Sequence, residues 1–147
     1  MTAAAAAAAK LMEIHSKGAE IHQGDICKVK AVQLLEEFSV PKALLPVEEI
    51  QEMGFNRSTG FLWFKMKKKV DHKFKKIGQT VIYNVEITCF LEKGHLSKLT
   101  GVKTKELMLP VGINDILVGQ PSPDMIKFTT AVGVSRSYPA SAFAPEE

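Results

Sequence analysis

The chain has 147 residues, 46% of them apolar and 24% charged, with a net charge of +3 and two cysteines. That is enough for one domain with its own hydrophobic core, and it excludes a disulfide-stapled miniprotein or a disordered polyelectrolyte. The charge is unevenly spread: Lys65–Lys76 carries seven lysines against one acid, Asp71, so this segment holds +6 and the remainder −3.

The opening "MTAAAAAAAKLMEIH" lacks a basic stretch ahead of its alanines, and Ala3–Ala9 is too short and too weakly apolar to span a bilayer. The expectation is a soluble, cytoplasmic protein. Alanine loses no side-chain entropy in a helix, so a first helix is expected over Ala3–Lys17, ending near Gly18 or running on weakly toward Gly24. Residues 1–24 read as an extension, 25–143 as a single domain and 144–147 as a tail. A second helix begins after Asp25, a candidate N-cap, with Cys27, Ala31, Leu34, Leu35 and Phe38 on one apolar face. Pro41 and Pro46 break the link "SVPKALLP". Cys27 and Cys89 read as buried free thiols.

After Pro46 the period shifts to two. "VEEIQEMGF" and "FLWFKM" predict a hairpin across "NRSTG", whose Asn56 sits in a glycosylation-type triplet that reads better as a turn. Leu62 and Phe64 face the core; Phe61 and Trp63 face the other side or a second layer. "TVIYNVEITCFLE" alternates for longer than strands usually run, so it bends or carries a bulge. "EKGH" is a turn. "LSKLTGVKTKELML", "VGINDILV" and "MIKFTTAVG" supply further strands, and "SRSYPASAFAPEE" reads as a polar, proline-broken tail. Helices followed by a meander of strands define a mostly β chain, an antiparallel β-sandwich or pseudo-barrel with N-terminal helices.

Four segments in order, "LLEEFSVPKALLP", "NRSTGFLWFK", "VIYNVEITCFLEKGHLSKLTGVKTKELML" and "GVSRSYPASAF", resemble the plant family catalogued as domain of unknown function 538 (DUF538). The match runs from Val32 to Phe143. The resemblance implies a plant source and the same β-rich fold; lipid-like ligand binding and ester hydrolysis are suggested for that family.

No catalytic, cofactor or metal pattern emerges. "GVSRS" has Gly133 before Ser135 but Ser137 where a nucleophile elbow needs glycine. His15, His22, His72 and His95 are scattered, and "GVKTKE" lacks phosphate-loop spacing. The expectation is a monomeric binding module, not an enzyme, with no cofactor. A straight strand over 65–75 puts Lys65, Lys67, Lys69, Lys73 and Lys75 on one face with Asp71, and Met66, Lys68, Val70, His72 and Phe74 on the other. Such a basic face suits an anionic lipid surface, an acidic protein or RNA; the plainer reading is a solvated edge that discourages aggregation. One alternative is a carrier holding an apolar or lipid-like small molecule against interior residues Val81, Tyr83, Val85 and Ile87. Another is a weak ester hydrolase.

Overall fold

The computed structural model describes residues 3–106 and 108–143. The alanine run forms α1 (Ala3–His15). It does not continue toward Gly24: β1 (Glu20–Gln23) follows and pairs antiparallel with β2 (Ile50–Asn56). Gly18, at φ +80°, ends the helical geometry, and the few residues between Gly18 and Gly24 are too short to nucleate a new helix. The sheet therefore starts before residue 25, inside the segment expected to be an extension.

The second helix, α2 (Ile26–Glu37), buries Cys27, Ala31, Leu34 and Leu35 as its spacing predicts. Asp25 is not the expected side-chain cap. It has helical dihedrals and makes no cap hydrogen bond, and the Cys27 N–H instead donates to the Gly24 carbonyl. The proline-rich link forms two short helical turns, Lys42–Leu44 and Val47–Glu49, which bury Leu44, Leu45 and Val47.

The remaining strands are β3 (Phe61–Met66), β4 (Val70–Phe74), β5 (Gln79–Glu92), β6 (His95–Glu106), β7 (Leu109–Val118), β8 (Met125–Thr130) and β9 (Ser135–Pro139). All nine belong to one antiparallel sheet in the order β1-β2-β3-β5-β6-β7-β8-β9. β4 follows β3 along one side of β5, whose first half pairs with β4 and second half with β3. β5 is irregular, as its length predicts: its register against β6 slips between Tyr83 and Thr88. Gly101 of β6, at φ +81°, lies against the Glu86 carbonyl there, and a Cβ would overlap it. The slip turns Val85 outward, so it is 47% exposed and does not line the interior. Strict alternation from Val81 to Leu91 fails at this point.

The sheet curls without closing into a barrel. β4 and β9 share no ladder among the described residues, yet Phe74 of β4 meets Phe143, just past β9, at 5.1 Å between ring centres. Lys76 Nζ also donates to the Ser141 carbonyl. The expected polar tail thus contains β9 and a helical turn, Ala140–Phe143, whose Phe143 is buried. Residues 144–147 lie outside the described residues. α2 covers the concave face on the β1–β2 side, and its buried side chains join Met53, Phe64, Ile87, Leu96 and Ile116 in one core. On the convex face Phe61 stacks on His15 of α1 and meets Phe90 edge-on. Phe61 and Trp63 therefore belong to a second, smaller layer, and all four aromatic-segment residues Phe61–Phe64 are buried.

Candidate functional site

The lysine segment is not one straight strand. β3 ends at Met66, Lys67–Lys69 form a bend, β4 runs from Val70 to Phe74, and Lys75–Gly78 form a turn into β5. The bend sits where β5 changes partner from β3 to β4, and the Lys67 N–H donates to the Glu49 carbonyl. Met66 and Phe74 are buried and Val70 is half-buried, while every lysine from Lys65 to Lys76 is exposed. The five lysines Lys65, Lys67, Lys69, Lys73 and Lys75 thus follow a bent edge, not a flat face.

They also differ in freedom. Lys65 lies in a cross-strand row with Glu52 and Gln23, its Nζ 3.4 Å from the Glu52 carboxylate. Gln23 Nε2 and the Trp63 indole N–H donate to the same carboxylate. These donors, Gln23 foremost, hold the Glu52 carboxyl below the usual glutamate range. Lys67, Lys68, Lys69, Lys73 and Lys75 have no ion pair among the described residues, and Lys76 has only the Ser141 carbonyl. Cations without internal partners keep their field for an outside anion.

Two concavities adjoin this edge. Inside the curl, Leu44, Phe74, Val81, Tyr83, Phe128 and Phe143 surround a narrow cavity of about 30 Å³, well short of a drug-sized ligand site. Val81 and Tyr83 of the expected interior contacts line it; Ile87 lies in the packed core and Val85 on the surface. The Tyr83 hydroxyl donates to the Leu44 carbonyl, and burial raises its pKa. A wider groove of about 400 Å³ lies between the 42–49 link and β4. Its walls include Val32, Leu45, Pro46, Val47 and Val70, with Lys28, Lys42 and His72 among its polar lining. The two short helical turns that build it gave no periodic signal in the sequence.

Several other polar side chains are engaged locally. His95 Nε2 lies 2.7 Å from Asp115 and its Nδ1 4.0 Å from Glu92, so both ring nitrogens face carboxylates and neither faces a serine. Asn56 is nearly buried; its amide donates to the His15 and Lys17 carbonyls and its oxygen accepts from the Ser58 and Thr59 N–H groups. This is the turn expected of "NRSTG". Cys27 and Cys89 are buried free thiols, and burial pushes Cys89 up to about 12, a pKa that leaves it almost wholly protonated and inert near neutrality. Among the described residues no group of three or more His, Cys, Asp or Glu is arranged to hold a metal, and no helix is long and apolar enough to cross a membrane.

A curled, open nine-stranded antiparallel sheet with a helix across one side, edged by lysines, defines the class: a mostly β domain with N-terminal helices. The chain belongs to the family described as "Protein of unknown function, DUF538", whose model matches residues 31–144, from within α2 to just past Phe143. No curated protein and no solved structure matches it.

Proposed function

We propose that this domain is a binding module that docks on an anionic surface through the bent edge at Lys67, Lys68, Lys69, Lys73 and Lys75. The observation that carries this reading is the concentration of exposed lysines that have no ion pair among the described residues, in a segment with a single acid, Asp71. Near an anionic lipid surface each lysine contributes about 1 kcal/mol. Co-sedimentation with acidic vesicles, and retention on an immobilised polyanion, should therefore be salt-sensitive and fall sharply in a Lys67→Glu, Lys69→Glu, Lys73→Glu variant. Equal binding by that variant would refute the assignment.

A second reading, an apolar small-molecule carrier, is favoured by the groove of about 400 Å³ between the 42–49 link and β4; ligand pockets usually span 300–1,000 Å³. Val70→Trp would obstruct part of that groove. It is expected to abolish binding of an environment-sensitive apolar dye if the groove is a ligand site, and to leave it unchanged if not.

A further inference from the structure

The turn that carries Lys75 and Lys76 shares one end of the sheet with two hairpin tips. Thr104 Oγ1 of β6 donates to Gln79 Oε1 at the start of β5, which places the β6–β7 tip beside the Lys75–Gly78 turn. The Ala131 N–H donates to the Gly112 carbonyl, which places the β8–β9 tip alongside β7 at the same end. The described tip residues 108–109 and 131–134 are apolar and open to solvent. Met108 is 90% exposed and Leu109 68% on the first; Val132 is 69% and Val134 43% exposed on the second. Lys73, Lys75, Lys76, Lys103 and Lys105, all exposed, stand just behind these tips along β4, its turn and β6.

Met108 carries a further mark. It has φ +74°, a left-handed conformation that costs a bulky residue energy and usually falls to glycine or asparagine. Nothing in the core uses its side chain. A large apolar residue held in a strained, fully presented position points to a role outside the fold.

We propose that this end of the sheet inserts into an acidic lipid bilayer. Met108, Leu109, Val132 and Val134 enter the acyl boundary, while Lys73, Lys75, Lys76, Lys103 and Lys105 sit at headgroup level. The inference rests on the anionic-surface reading and names its partner. Apolar tips backed by cations are complementary to a membrane interface, with an apolar interior beneath a negative surface. A nucleic acid or an acidic protein surface satisfies the lysines but leaves the tips without a partner.

The test places a reporter at the tip. Both native cysteines are buried, at 0% and 1% exposure, so a thiol-reactive environment-sensitive dye on the Met108→Cys chain reports residue 108. On phosphatidylcholine–phosphatidylserine vesicles the dye should shift to the blue and be quenched by lipids brominated on their acyl chains. Met108→Gly should keep or raise the melting temperature, since glycine relieves the left-handed strain, yet weaken vesicle affinity roughly tenfold, the worth of one buried apolar side chain. Val132→Ser should weaken it in the same direction. Bound protein whose dye stays solvent-like, or tip variants that bind like the wild type, would overturn insertion while leaving the lysine reading intact. Tip-dependent self-association without vesicle binding would overturn it in favour of a second copy. Vesicle binding insensitive to the lysine triple variant would overturn the lysine reading itself.

Discussion

Trp63 lies flat over Gly54 on the neighbouring strand, close enough that any Cβ at 54 would overlap the indole. Trp63 is buried and hydrogen-bonded to Glu52, so it has nowhere to retreat. Gly54→Ala should destabilise the fold by about 3 kcal/mol, the upper range for overpacking a core, read as a lower denaturant midpoint at unchanged m. Glu52 adds a pH signature. Its folded pKa lies below the unfolded value near 4.5, so its carboxylate stabilises the fold above that value, and the contribution is lost as pH falls through the folded pKa. Glu52→Gln should flatten the loss of stability as pH falls below about 4.5; an acid-limb slope equal to the wild type would contradict the network. None of this was visible in the sequence. "MGF" carries no sign that its glycine is paired with a tryptophan, because the pairing depends on register across the hairpin.

Among the elements, those with a long repeating pattern were legible and the short ones were not. α2 was readable from its apolar face, and β3 and β5 from composition and alternation. β1 was missed because four residues between glycines carry no period, and because its stability comes from the ladder to β2. The outward turn of Val85 was missed because the slip in β5 is set by its neighbours, where Gly101 of β6 approaches Glu86 and β4 replaces β3. The bend at Lys67–Lys69 has the same origin. For α1, Asn56 is the local anchor, donating to the His15 and Lys17 carbonyls. Asn56→Ala should cost roughly 1–3 kcal/mol by leaving those groups unsatisfied, and should speed amide exchange at the end of α1 before that of the sheet. Exchange rising equally in both would contradict a local anchor.

Across the whole molecule, the two ends of the curl are bridged by side chains, with no ladder between β4 and β9 among the described residues. Phe143 touches Phe74, Phe128 and Tyr138, and Phe143→Ala should cost about 3–5 kcal/mol. The candidate site was half legible. The lysines, their number and the scarcity of acids could be counted directly, but their freedom from internal partners and their place beside two apolar tips required the fold. Met108 and Leu109 gave no signal as a site, since "ELMLP" reads as ordinary strand. The central claim, that this lysine edge holds an anionic surface, is tested most directly by the affinity of the full chain for acidic vesicles as salt is raised. The wild type should lose affinity steeply. The Lys67→Glu, Lys69→Glu, Lys73→Glu variant should bind at least about 3 kcal/mol more weakly at low salt, roughly two orders of magnitude, with a shallower salt dependence. Equal affinities and equal salt slopes for the two proteins would contradict it.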